Sequence, residues 1–262
     1  MSRADSGTEL AIDDADRVRL LTVQREDALN AYDDRLYDAV RKALDDAARR
    51  DDIACVVLTG RGRSFCAGTD LGELAQPVRH DDGRPHGFEP FIATVEAFPK
   101  PLLAAVNGIA VGIGVTILPH CDLVLMSQQA RLRAPFVTLG VTTEAGSSAL
   151  LAPLIGWQRA AELLYTARWI DAATAVDWGL ASRLCAPDQL LPETLALARE
   201  IAAMPVASLV ATKKLLLGAR LDAVRAARAR EREEFAALLG GPANREALAA
   251  FRERREPDFR GL

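Results

Sequence analysis

The chain has 262 residues, half of them apolar, with 36 acidic against 32 basic side chains and a net charge of -4. That length and apolar content support one large core, with or without an appendage and without covalent staples, while the acidic balance excludes bulk nucleic-acid binding and still allows a local basic cluster to meet an anionic small ligand. Cys55, Cys66, Cys121 and Cys185 show no zinc-type spacing and nothing at the start reads as a signal peptide. Asn107 and three glycines interrupt the apolar region 102–118, so a cytoplasmic protein with no membrane insertion is expected.

Order is expected to begin near Leu10. Residues 9–13 and 17–23 read as short strands around a turn at 13–16. A helix follows with Asn30 as its N-cap and Leu36, Val40, Ala43, Leu44 and Ala47 at helical spacing. Residues 55–59 form a continuous apolar run ending in glycine, the pattern of a strand covered on both faces. A loop of small residues, 60–70, leads to a helix from Leu71. The stretch 76–90 then reads as a polar loop, and its His80, Asp81, Asp82 and His86 as solvated groups rather than metal ligands, so no metal is expected.

Beyond Pro99-Lys100-Pro101 come a strand at 102–106, a turn at Asn107-Gly108, and a glycine-rich entry into a helix after Gly112. The glycine spacing is not that of a dinucleotide fingerprint, and residues 60–64 lack the Gly-Lys pair of a phosphate loop. Strands are expected at 122–126 and 130–133. From Gln158 onward the pattern is almost wholly helical (158–167, 172–178, 191–203, 206–217, 221–239, 244–255), with Asp171 and Asn244 as N-caps. The alternation of strand and helix followed by helices alone implies an α/β body over residues 8–200 and a helical lobe over 201–262.

Glu144 stands out within Leu139-Gly-Val-Thr-Thr-Glu-Ala-Gly-Ser-Ser148, between apolar residues and a helical pattern. A carboxylate there, with Gly146 permitting close backbone approach, is suited to a raised pKa and a general-base role. On local sequence alone, a first-turn glutamate complementing a helix dipole is the simpler reading.

Three stretches shift that balance: Ser64-Phe-Cys-Ala-Gly-Thr-Asp-Leu71, Ala105-Val-Asn-Gly-Ile-Ala-Val-Gly-Ile-Gly114 and Cys121-Asp-Leu-Val124. In order and spacing they resemble the enoyl-CoA hydratase/isomerase (crotonase) superfamily, and the likeness runs from about Arg17 into the tail 251–259. The resemblance implies a crotonase-like spiral of β-β-α repeats with a C-terminal all-helical trimerisation lobe. It implies an acyl-CoA thioester substrate, no cofactor beyond the coenzyme A carried by that substrate, and a homo-oligomer, either a trimer or a dimer of trimers.

It further implies that the backbone N–H groups of Thr69 and Ile113 hold an enolate oxyanion. Arg61, Arg63, Lys213, Lys214 and Arg254 are the candidates for the CoA phosphates, each equally readable as a surface charge, with Ala67 as a further CoA contact. Leu71, Leu74 and Phe136, with Phe88 or Phe91, are those for the acyl pocket. Where hydratases of this superfamily carry a pair of glutamates, Thr116 and Phe136 stand here, and neither can take a proton. Glu144 instead looks like the single glutamate of the Δ3,Δ2-enoyl-CoA isomerases, with His120 a packing residue. The expected activity is therefore movement of a double bond from 3-enoyl-CoA to trans-2-enoyl-CoA, as in fatty-acid β-oxidation. The alternatives are another acyl-CoA chemistry in the same fold or a catalytically silent acyl-CoA-binding subunit.

Overall fold

Asp16 and Arg17 both adopt positive φ, 52° and 63°, and so join β1 (Leu10–Ala15) to β2 (Val18–Val23) as a two-residue antiparallel hairpin. The turn lies later than the expected 13–16 because the acidic end of β1 stays paired. Asp14 faces Arg19 across the ladder, and the two form an ion pair at 2.8 Å. The computed structural model describes residues 9–75, 80 and 82–262, without the side chains of Leu74 and Ala75.

Helix α1 (Asp34–Arg49) is capped by Asp33, whose carboxylate accepts the Leu36 amide at 2.9 Å. Asn30, expected to cap it, instead lies buried and donates to the carbonyls of Arg61 and Ser64 at 2.9 and 2.7 Å. Its amide satisfies a distant loop rather than its own helix.

Strands then come in consecutive pairs: β3 (Cys55–Gly60) with β4 (Ser64–Cys66), β5 (Leu102–Val106) with β6 (Ile109–Val111), and β7 (Leu123–Ser127) with β8 (Arg131–Arg133). The first of each pair joins a large sheet and the second a small one. With β9 (Ile170–Asp171) and β10 (Arg183–Cys185), the orders are β1-β2-β3-β5-β7-β10 and β4-β6-β8-β9. From β2 to β10 the large sheet is parallel, and all of β3 is buried as its apolar run requires. A helix follows each turn of this α/β spiral: α2 (Leu71–Ala75) and α3 (Phe88–Ala97), then α4 (Ile113–Thr116), then α5 (Ser147–Ile155) and α6 (Trp157–Thr166). The expected polar loop at 76–90 thus ends at Gly87. Within it, His86 pairs with Asp38 and Asp82 and ties the loop to α1; residues 76–79 and 81 lie outside the described residues.

The region after Gln158 is not wholly helical, since β9 and β10 interrupt it; two and three residues are too short to show a period of two. Asp171 does cap α7 (Ala172–Trp178), accepting the Thr174 amide at 2.8 Å. Helix α8 (Leu190–Ala202) covers one face of the large sheet through Leu190, Ala198 and Ala202 against Val57, Leu103 and Leu125. Three helices complete the chain: α9 (Val206–Gly218), α10 (Leu221–Leu238) and α11 (Pro242–Glu253). Gly241, not Asn244, is the N-cap of α11; the Asn244 side chain donates to the carbonyl of Leu139 at 2.7 Å and so docks α11 on the segment that leads to Glu144. Among the described residues no single helix is long and apolar enough to cross a membrane.

Candidate active site

Parallel pairing of β4 with β6 brings the segments that follow them side by side. A Cβ on Gly112, whose φ is 55°, would lie 3.6 Å from Cα of Gly68, so the two loops meet glycine to glycine. The loop after β4 is pinned to the chain before α1, with the Tyr32 amide donating to Gly68 and the Asp70 amide to Tyr32, each at 2.8 Å. The buried Tyr37 hydroxyl holds Thr69 Oγ1 at 2.8 Å. Between these contacts the amides of Thr69 and Ile113 are left with no acceptor among the described residues, and both residues line one cavity. Helix α4 has only four residues, so an anion there meets free N–H groups more than a long helix dipole.

That cavity encloses about 750 Å³, and Ala67, Leu71, Phe136 and Glu144 share its wall with the two amides. A second cavity of about 270 Å³ continues past Thr69 and Glu144 toward Phe88, Glu89, Arg228 and Glu231. The larger one is within the size range of ordinary small-molecule sites.

Glu144 sits two residues ahead of Gly146, the N-cap of α5, on a loop with unusual backbone. Ala145 takes φ 63°, a conformation that costs a non-glycine residue about 1–2 kcal/mol. His120, buried, contacts the Ala145 carbonyl through Nε2 at 2.7 Å; burial pushes its pKa down to about 4, so the imidazole is neutral at pH 7 and its Nε2–H donates. Gly146 is packed so closely on α10 that a Cβ would approach Val224 Cγ1 to 2.7 Å. Burial pushes the Glu144 carboxyl up to about 8, and the negative charges of Glu231 and Glu89 add to it. The helix-dipole role that local sequence offered to Glu144 belongs to Glu231, whose carboxylate accepts the amides of Gly146 and Ser148 at 2.6 and 2.8 Å.

Among the described residues, two other acids line the larger cavity. Burial opposes ionisation of Asp70, but the Gly72 amide and the Arg25 guanidinium, 2.9 Å away, hold its carboxyl below the usual range. Glu256 lies exposed at the rim. Thr116 is fully buried with its hydroxyl turned to the Gly112 carbonyl at 3.4 Å, and Phe136 presents only an aromatic ring.

Of the expected acyl-pocket residues, Leu71 and Phe136 line the cavity, while the side chain of Leu74 lies outside the described residues. Phe88 lines the smaller cavity; Phe91 does not, being packed in the core 5.8 and 5.1 Å from the rings of Tyr32 and Tyr37. Of the expected CoA contacts only Ala67 lines the cavity. Arg61 pairs with Glu26 at 3.3 Å, and Arg63 and Arg254 are exposed away from the lining.

Lys213 requires correction as a phosphate ligand. It is buried, donating to the Lys100 carbonyl at 2.7 Å and to Asp122 at 2.8 Å, where it fastens α9 to the sheet. Among the described residues, the cations on the cavity wall are Arg133, 5.9 Å from the centre of the Trp169 ring, and Arg255. Arg133 sits three residues before Phe136 and was within reach of the sequence reading. Glu231 gave no local signal.

Paired free amides beside one half-buried carboxylate, on this two-sheet spiral, define a class, and the chain belongs to the enoyl-CoA hydratase/isomerase family, whose model matches residues 13–261. Its chemistry is that of acyl-CoA thioesters. Among similar proteins, 2,3-dehydroadipyl-CoA hydratase of Escherichia coli K12 is 35% identical over 257 residues, covering 97% of this chain and 99% of that protein. A 1,2-epoxyphenylacetyl-CoA isomerase of the same organism is 31% identical over 250 residues, 93% of this chain and 95% of that one. The crystal structure of an enoyl-CoA hydratase/isomerase from Pseudoalteromonas atlantica T6c superposes with a TM-score of 0.93 at 36% identity, covering 96% of this chain and 100% of that chain.

Proposed function

We propose that the enzyme is a Δ3,Δ2-enoyl-CoA isomerase using Glu144 as its only proton carrier. The observation that carries this reading is the wall of the cavity, where Glu144 lies with Thr69, Ile113 and the uncharged Phe136; by the family resemblance, Phe136 and the buried Thr116 occupy the positions at which hydratases keep carboxylates. The thioester oxygen of a 3-enoyl-CoA would accept from both amides. Glu144 would remove a C2 proton, and the same carboxyl would return it to C4 of the planar dienolate. Leu71, Val141 and Phe136 give the cavity an apolar stretch of wall, which offers an attacking water no polar partner there.

A single relocating proton matches a single carboxyl that is close to half-ionised near pH 8. The hydratase names of several relatives make hydration the activity to test against. Both reactions should be measured on wild type and on Glu144→Gln, which keeps size but cannot accept the proton. Isomerisation falling by about 10² or more, with little hydration of 2-enoyl-CoA by wild type, is the expected result. Strong wild-type hydration, or isomerisation that survives the substitution, overturns it.

We also infer a homo-oligomer, a trimer or a dimer of trimers, acting in the cytoplasm. The family likeness and the exposed Leu215 and Leu216 of α9 support assembly. Light scattering of the full chain should give three or six protomers, and a monomeric mass overturns that inference.

A further inference from the structure

The Ala145–Gly146 peptide, next to Glu144, is gripped at both ends by residues far away in sequence. Its carbonyl accepts from His120 Nε2 at 2.7 Å, and its N–H donates to Glu231 Oε2 at 2.6 Å. Glu231 Oε1 simultaneously accepts the Ser148 amide at 2.8 Å. The remaining polar contacts within residues 143–147 are internal: Thr143 with Ser147 and the Ser147 hydroxyl with the Glu144 carbonyl, both at 2.6 Å, and the Ser147 amide with that same carbonyl at 3.1 Å. Those short-range bonds do not fix the loop against the body of the protein. The disfavoured φ of Ala145 therefore depends on the clamp from His120 on one side and Glu231 on the other. Glu231 is itself buried on α10, whose Phe235 closes both cavities one turn further on.

We propose that Glu231 is a positioning residue for Glu144, which aims the carboxyl by holding the Ala145–Gly146 peptide. This rests on Glu144 being the proton carrier. The Glu231 carboxylate shares the smaller cavity with Glu144. Among the described residues, the charged and titratable groups around Glu144 are Glu89 from α3, Arg228, Glu231 and Arg232 from α10, Tyr37 from α1, Cys66 at the end of β4, and His120 against the Ala145 carbonyl. Arg228 is held between Glu89 and Glu96, 2.9 Å from each, which partly neutralises Glu89 as well. Arg232 is exposed. Glu231 is thus the buried charge whose removal changes the field at Glu144 most directly. Burial of Glu144 raises its pKa independently, so Glu231 adds to an effect already present.

The test uses the full-length protein with Glu231→Gln and Glu231→Asp. Titration of the Glu144 carboxyl is followed by difference infrared spectroscopy, with the band assigned by its loss in Glu144→Gln, alongside the pH dependence of kcat and KM. Glu231→Gln should move the titration roughly one pH unit toward acid and lower plateau kcat roughly tenfold, with KM changing far less. Glu231→Asp keeps the charge but is too short to hold both amides. Its titration should stay near the wild-type value while kcat falls, and it remains informative if the glutamine variant does not fold. A loss of thermal stability alone, with titration and kcat unmoved in either folded variant, overturns the proposal and leaves Glu231 a helix cap. A titration that shifts in a wild-type background lacking isomerase activity would uphold the positioning role while removing the proposed reaction.

Discussion

Gly114 rests directly on Cys66: a Cβ at Gly114 would lie 2.4 Å from the Cys66 carbonyl oxygen. The first turn of α4 is therefore seated on the backbone of β4, and this seating sets the spacing between the Thr69 and Ile113 amides. Gly114→Ala should push them apart. The expected result is a loss of about 1–3 kcal/mol in stability from overpacking and a fall of roughly 10² in kcat/KM from misplaced donors, read by denaturant unfolding and steady-state kinetics. A variant with unchanged kinetics would show that the amide pair is not the anion site.

Ile113 combines a working amide with a buried side chain, 1% exposed, so the two functions need separate variants. Ile113→Ala leaves a cavity and should lower stability by about 2–5 kcal/mol, with kcat per folded molecule nearly kept below the melting transition. Ile113→Pro occupies the first helical position, where proline fits, but removes the N–H. It should lower kcat/KM by about 10² or more, as loss of an oxyanion donor does. A large kcat loss in the alanine variant would mean that the second donor lies elsewhere.

The Glu144 carboxyl, pushed up to about 8, is mostly protonated at pH 7. As a base it must ionise, so kcat/KM should rise with pH through a limb near 8 and level above it. The stability effect has the opposite direction. Because the folded pKa exceeds the ordinary value of 4.5, the contribution is complete below about 4.5 and is lost as pH rises through about 8. Glu144→Gln should flatten both dependences. Kinetic profiles and denaturant midpoints from pH 6 to 9 check them, and a rate limb that persists in the variant belongs to another group.

His120 titrates in the other direction. Its folded pKa of about 4 lies below the ordinary 6.5 because the ring is buried and desolvated. The unfolded chain therefore takes up the proton first, and stability present above pH 6.5 should be lost as pH falls toward 4, by up to about 3 kcal/mol. His120→Gln should flatten that slope in urea titrations between pH 4 and 7. An unchanged slope would assign it to other groups.

The order of elements was legible because it is written in short-range patterns. The apolar run 55–59 and the period of Leu36, Val40 and Leu44 need no partner to be recognised, and the covered strand β3 and the amphipathic α1 stand where those patterns lie. The pair of glycine-rich stretches also led to the Thr69 and Ile113 segments. Failures came where a residue had a local use and a distant one. Asn30 and Asn244 both read as caps, yet each bridges to a carbonyl more than thirty residues away. Lys213 read as a contact for the CoA phosphates or a surface charge, yet its ammonium is enclosed with Asp122.

Sequence by itself determined the α/β architecture, the two amide-bearing turns, the absence of carboxylates at Thr116 and Phe136, and the presence of Glu144 ahead of a helix. Tertiary structure alone decided which carboxylate caps that helix and which is left to face the cavity. Capping from within the chain is a matter of three or four residues and can be read locally. Glu231 reaches Gly146 across 85 positions, and only the packing of α10 against the start of α5 puts it there. Once its oxygens take the free amides, Glu144 has no helix end to stabilise, and burial without that compensation raises its pKa into the range a proton carrier requires.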